Sequence, residues 1–317
     1  MQKVRSIQAL RAIAVLAVVY SHAFHTGRGT SGVDLFFVIS GFIIARVSRD
    51  RSPIAFARAR FFRIFPLYLV AAAPYVAWQV AYGSGFSAKV AATVSLWPIW
   101  GGGYQEPLLP VAWTLYFEVL FYAGITLWLF SRRAAGLVAA TIALVALVRP
   151  GPVTLFLLSP IILEFAVGFA LAQVRRFPFA VPTMVLGLLF LFCPARAFEG
   201  ATMLDAHTAG VRLLTYGIPA VMIVYAALGL ERTFAGRWAD GLVRVGDASY
   251  SIYLTHLMAV YALAAWPPVA RFAVALLLGL VVFSFIERPL TALLRSAHRK
   301  IAGGQLAAGK ACEPRLT

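Results

Sequence analysis

Arg11 and His22 stand in an otherwise apolar run, Ile7 to Phe24, long enough to cross a bilayer as a helix of about 20 residues. Ionisable groups inside hydrocarbon are costly and mark functional sites by default. The two lie eleven positions apart. At about 100° per residue that is close to three helical turns, so both leave one face of the helix, separated by roughly 16 Å along its axis. An imidazole, with an ordinary pKa of about 6.5, is suited to moving a proton at neutral pH. One face of the first span is therefore polar at two depths.

Other residues could join this chemistry. The second span opens Gly32-Val33-Asp34-Leu35-Phe36-Phe37-Val38-Ile39-Ser40-Gly41-Phe42, a short Gly-rich turn after His22 and His25. Asp34 can hold an imidazole in one tautomer and stabilise its protonated form, or it can cap the helix N-terminus; the two readings are compatible. Ser40 and Gly41 are small residues suited to helix–helix contact. Arg60 and Arg63, three apart and hence on one helical face, press into the third span. Such a guanidinium pair suits bidentate phosphate recognition, and Tyr68 follows within reach of the same ligand. Glu118 sits about two turns into the helix that begins near Trp113 and needs a partner there, an Arg or the His cluster. Glu164 poses the same question in the sixth span, with a structural ion pair as its expected role. The run Ser249-Tyr250-Ser251-Ile252-Tyr253-Leu254-Thr255-His256 puts a second His inside a span, as packing or as site lining. Trp113, Tyr253 and His256 are expected to line a substrate site. Glu287-Arg288-Pro289 reads as a helix end with a local ion pair. Trp97, Trp100 and Tyr104 suit either the membrane interface or stacking on a sugar. His22 and His25 have no third ligand at a convincing spacing, so no metal is expected.

The elements that carry these residues must be membrane helices. The 317 residues are 61% hydrophobic and 13% charged, with a mean hydropathy of +0.83, whereas soluble domains carry about 25% charged residues. The net charge of +16 has no aromatic-rich nucleic-acid motif beside it and is read as topology signal rather than nucleic-acid binding. Ten apolar spans are expected, at about 7–25, 32–47, 61–82, 108–130, 134–149, 153–174, 179–195, 210–230, 248–266 and 268–287. With both termini cytoplasmic, the inside segments hold 21 Lys and Arg and the outside segments six, a bias that favours this orientation. His22 then lies toward the outer half of the membrane and Arg11 toward the inner half. Lys3 and Arg5 before an apolar run would also suit a signal peptide, but no small-residue cleavage pattern follows cleanly. Cys193 and Cys312 fall on opposite sides and are expected as free thiols. The chain divides into a transmembrane domain over 1–300 and a tail over 301–317 expected to be disordered.

Taken together, these blocks resemble the acyltransferase 3 family of membrane-bound acyltransferases. The resemblance rests on Arg11 with ten residues before His22, the block GVDLFFVISGF, the pair Arg60 and Arg63, WTLYFEVLFY and SYSIYLTH, in order along nearly the whole chain. The VAWTLYFE block is similar to that of the exopolysaccharide O-acetyltransferases of the family. The resemblance implies an all-α fold of ten spans in a bacterial inner membrane. It implies an acyl-CoA donor, acetyl-CoA by default, and an acceptor hydroxyl on a glycan or lipid-linked saccharide, with polysaccharide-assembly proteins as possible partners. It also implies an essential His at His22, a supporting Arg at Arg11 and donor binding at Arg60 and Arg63. With span ten so near the end of the sequence, the C-terminal hydrolase-like domain of some relatives is not expected here. The rival reading from the residues alone is a transporter or flippase, since intramembrane Arg, His and Glu also mark substrate and proton paths. Such proteins often show two related halves, and no internal repeat is evident here.

Overall fold

The computed structural model describes residues 3–27, 29–83, 85–192 and 206–294. The expected tail and both cysteines lie outside these residues. The chain is a helical bundle: α1 (Arg5–Phe24), α2 (Gly32–Ser48), α3 (Pro53–Tyr82), α4 (Ala88–Ser95), α5 (Trp113–Phe130), α6 (Arg132–Val148), α7 (Pro152–Leu157), α8 (Ile161–Leu171), α9 (Ala180–Phe192), α10 (Ala206–Arg212), α11 (Ile218–Gly229), α12 (Asp240–Asp247), α13 (Ser249–Ala262) and α14 (Pro268–Val282). Among the described residues, six helical stretches are long and apolar enough to cross a membrane: Arg5–Phe24, Pro53–Tyr82, Pro110–Phe130, Pro152–Leu171, Thr208–Gly229 and Pro268–Leu294. The other four expected spans are also helical, but α2 and α6 have 17 residues, α9 has 13 and α13 has 14. An all-α membrane protein is thus correct, with one exception. The long segment before α5 contains a small antiparallel hairpin, β1 (Ile99–Trp100) with β2 (Gly103–Tyr104), pairing Ile99 with Tyr104.

Two close crossings set the bundle. Where α2 meets α8, a Cβ on Gly41 would overlap the Phe165 backbone, and one on Gly168 would overlap the Val38 backbone. Small residues on both helices let the two backbones touch, which is how membrane helices associate without a hydrophobic drive between them. The turn before α2 folds back on α1. Gly29 there adopts φ +103°, and a Cβ would collide with the Ala17 carbonyl, so only glycine suits it. α6 buries none of its residues, and its exposed Leu137, Leu144 and Leu147 suit contact with lipid.

The start of α1 is held from far along the chain. The Glu231 carboxylate accepts from the backbone N–H groups of Arg5, at 2.7 Å, and Ser6, at 2.9 Å. Two of the four orphan donors of the helix end are thereby satisfied by an anion at the positive end of its dipole. The Arg5 side chain donates to the Phe234 carbonyl and to Asp240, and Lys3 pairs with Asp247. These contacts fix the depth and rotation of the helix that carries Arg11 and His22.

Candidate active site

Two cavities lie along α1. The first has an empty volume of about 840 Å³ including its mouth, and Arg11, Ser40, Arg60, Arg63, Glu118, Tyr122, Tyr250, Thr114 and Tyr253 are among its lining residues. The second is lined by Ser21, His22, His25, Thr26, Gly27, Leu257, Val260 and Tyr261. Arg11 and His22 both face cavities, as their spacing implies, but not the same one. Between the cavities lies a column of side chains. The Tyr253 hydroxyl meets Thr114 Oγ1 at 2.9 Å and donates to the Val111 carbonyl at 3.1 Å. His256, wholly buried, packs its ring 5.9 Å from that of Tyr253. Its Nε2 lies 3.3 Å from His22 Nδ1.

His22 Nδ1 also lies 2.9 Å from the Val18 carbonyl oxygen, one turn back on α1. A carbonyl only accepts, so the hydrogen-bond network assigns the proton to Nδ1. Nε2 then carries the lone pair, on the edge of a half-buried ring in the second cavity. Beside it, Arg271 donates from Nη1 to His25 Nε2. His25 itself ends α1 in the left-handed conformation, φ 51°.

In the first cavity the guanidiniums differ. Arg63 pairs with Glu287 through Nη1, while Ser251 donates to the other Glu287 oxygen at 2.6 Å. The expected local pair of Glu287 with Arg288 is therefore corrected: a π-turn over Phe283–Glu287 aims the carboxylate inward at Arg63 instead. Arg60 makes no ion pair among the described residues. Its Cζ lies 5.9 Å from the centre of the Tyr122 ring, and its buried Nε has no hydrogen-bond partner among the described residues. Among the described residues, Glu118 finds neither an Arg pair nor the His cluster. Tyr122, four residues on, donates to its Oε1, and Ser40 donates to the same oxygen at 3.5 Å. Ser40 thus serves the cavity, while Gly41 alone makes the close helix contact.

Further expectations need correction. Asp34 is fully buried and does not touch His22. Arg212 grips it with two bonds, Nε to Oδ1 at 3.0 Å and Nη2 to Oδ2, while Nη2 also reaches the Thr30 carbonyl at 3.2 Å. A buried carboxylate takes the nearest permanent cation in preference to a neutral ring, so Asp34 is neither a His-orienting acid nor a simple cap. Glu164, also fully buried, lies beside Asp34 and makes no ion pair among the described residues. A π-turn over Leu213–Gly217 directly follows Arg212 and sets Gly217 against Glu164. Tyr68 is wholly buried and donates to the Thr93 carbonyl at 2.6 Å, tying α3 to α4 instead of facing the cavity. Trp113 packs edge-on to Phe37 and Phe117 and lines neither cavity. Of the expected substrate residues, Tyr253 does line the first cavity, whereas His256 sits behind His22.

Reading the sequence missed Arg212, which counts there as an outer-loop positive; the buried Asp34 was the available signal that some cation had to come to it. It also missed Tyr122, although the four-residue spacing from Glu118 places the two on one helix face.

Comparison with known proteins gives the family. A family model for an acyltransferase domain, acyltransferase 3, matches residues 4–287. The exopolysaccharide production protein ExoZ of Rhizobium meliloti (strain 1021) is 33% identical over 91% of this chain and 96% of its own length. The acyltransferase MdmB of Streptomyces mycarofaciens is 26% identical over 74% of this chain and 69% of its own. No solved structure matches. With a match that spans the described bundle from α1 to Glu287, the chain belongs to the acyltransferase 3 family of membrane-bound acyltransferases.

Proposed function

We propose that this protein moves an acyl group, acetyl by default, from cytoplasmic acyl-CoA to a hydroxyl of a polysaccharide or lipid-linked saccharide on the far side of the membrane. In this reading all ten apolar helices span, both termini are cytoplasmic, and the bilayer is the bacterial inner membrane. The first cavity then faces inward and the second outward. The observation that carries the proposal is that Arg11, Arg60 and Arg63 line the first cavity, His22 lines the second, and the contacts from Tyr253 through His256 to His22 run from one to the other.

The chemistry follows from the residues. Acyl-CoA is polyanionic, and Arg60, without an ion-pair partner among the described residues, offers its phosphates charge-assisted hydrogen bonds. Arg11 raises the positive potential of the same space, and Arg63 stands beside it, held in place by Glu287. The thioester end reaches past Tyr253 toward His22. The acceptor hydroxyl, entering through the second cavity, gives its proton to His22 Nε2 as its oxygen attacks the thioester carbon. The new C–O bond forms, the C–S bond breaks, and the proton leaves His22 for the CoA sulfur. The alternative order, in which the imidazole first takes the acyl group and then passes it on, uses the same nitrogen; the direct route needs one intermediate fewer. A polysaccharide acceptor draws support from the relative named for exopolysaccharide production.

The test is made with purified protein in liposomes, labelled acetyl-CoA on one side and an oligosaccharide on the other. Label found in an ester on the saccharide, with stoichiometric release of CoA, supports the proposal. Movement of substrate across the bilayer without loss of the acyl group would overturn it in favour of a transporter.

A further inference from the structure

We propose that His256 is the positioning residue of His22: its neutral ring accepts the His22 Nδ1–H and so keeps Nε2, the reacting nitrogen, turned to the second cavity. This rests on the reading of His22 as the base. The role that an aspartate commonly plays behind a catalytic imidazole falls here to a second imidazole, since Asp34 is committed to Arg212.

The geometry leaves one assignment of protons. His256 Nδ1 lies 2.7 Å from the Tyr253 carbonyl oxygen, which can only accept, so that nitrogen carries the hydrogen. In the neutral ring the other nitrogen, Nε2, must then be an acceptor. That nitrogen is the one 3.3 Å from His22 Nδ1. The His22 Nδ1–H is thereby shared between the Val18 carbonyl and His256 Nε2, both acceptors. The two rings are inclined at 59° with centroids 5.0 Å apart, which suits the in-plane lone pair of one meeting the N–H edge of the other. The Val18 carbonyl belongs to the helix ladder and is only a part-time acceptor. Without His256, a half-turn of the His22 ring about χ2 would bury the reacting nitrogen.

His256 itself cannot turn to suit. It is 0% exposed, as are its neighbours Ile252 and Leu254, and Thr255 is 5% exposed. Its Nδ1 is tied to the backbone of its own helix. The hydroxyl of Tyr253 is held in turn by Thr114 and Val111. The strand of contacts from the first cavity to His22 is therefore held by the SYSIYLTH segment, which gives that block a role the residues alone did not assign.

The experiment compares full-length His256→Phe, which keeps a ring but no acceptor, with His256→Gln, whose amide oxygen can still accept. Solubilised protein is checked for a single gel-filtration peak before assay. We expect His256→Phe to lower kcat about 100-fold, with KM for acetyl-CoA and for the saccharide within about twofold of wild type. His256→Gln should recover at least about a tenth of the wild-type kcat by restoring the acceptor. A folded His256→Phe with kcat within about threefold of wild type would reduce His256 to packing, and so would equal losses in folded Phe and Gln variants. Should the Phe variant not fold, 15N-histidine spectra of wild type against His22→Ala decide: an unprotonated His256 Nε2 whose resonance shifts when His22 is removed supports the proposal, and a proton on His256 Nε2 overturns it. If His22→Ala itself retains activity, the reading of the base has failed, which is a separate outcome.

Discussion

The two guanidiniums that the sequence presents as equals have different work in the structure. Arg60 has no ion-pair partner among the described residues and a buried Nε without a hydrogen bond, whereas Arg63 neutralises Glu287. Arg60→Ala should raise the KM for acyl-CoA about tenfold or more, the worth of a charge-assisted bond, with thermal stability in detergent unchanged. Arg63→Ala should instead lower stability by about 1–3 kcal/mol, because it strands a buried carboxylate; thermal denaturation of the two variants separates these outcomes. Asp34 follows the same logic more strongly. With Arg212 at 3% exposure and Asp34 at 0%, removing either partner alone should cost about 3–5 kcal/mol, while Asp34→Leu combined with Arg212→Leu should recover most of that loss. A double-mutant cycle on midpoint of denaturation checks it. At this scale the types of the working residues were legible, because an Arg or His in hydrocarbon is conspicuous. Their pairings were not, since partners such as Asp34 and Arg212 are 178 positions apart and no local spacing links them.

The elements do their positioning through close contacts and two irregular turns. Gly41→Val or Gly168→Val should force α2 and α8 apart and cost about 1–3 kcal/mol or more, read as a fall in the yield of monodisperse protein and in its melting point. Weakening the trans cap of α1 by Glu231→Ala should cost about 1 kcal/mol and lower activity with stability, since it loosens the helix that bears both Arg11 and His22. The apolar runs placed a helix in each of the ten expected spans, because hydropathy over about 20 positions is a strong signal, but missed the short α4 and α12 and the eight residues by which α3 begins before position 61. The π-turns at Leu213–Gly217 and Phe283–Glu287 left no mark in that pattern. Each nevertheless adjoins a buried charge: one follows Arg212, the other ends in Glu287. Extra residues in a helical turn are a recurrent way to re-aim a side chain at a functional site. The hairpin of Ile99–Tyr104 escaped for the opposite reason, as two-residue strands are too short for any period to register.

Over the whole molecule, a cation-lined cavity and an imidazole-lined cavity stand back to back, divided by Tyr253 and His256. That arrangement suits a reaction whose donor and acceptor reside on opposite sides of a membrane. In the proposed orientation, which rests on the charge bias along the chain, the Arg11 end faces inward. Single cysteines introduced at Lys3 and at Gly102, in a chain with Cys193 and Cys312 replaced by Ser, should be labelled by an impermeant maleimide only from the cytoplasmic and only from the outer face, respectively. The most direct measurement of the central claim is acyl transfer by His22→Ala in sealed liposomes, beside wild type at equal, correctly inserted amounts. The account predicts that wild type converts acetyl-CoA on the Arg11 side into saccharide ester on the His22 side. The variant should still bind acetyl-CoA but form ester at least about 100-fold more slowly. Ester formation by His22→Ala at near the wild-type rate would contradict it.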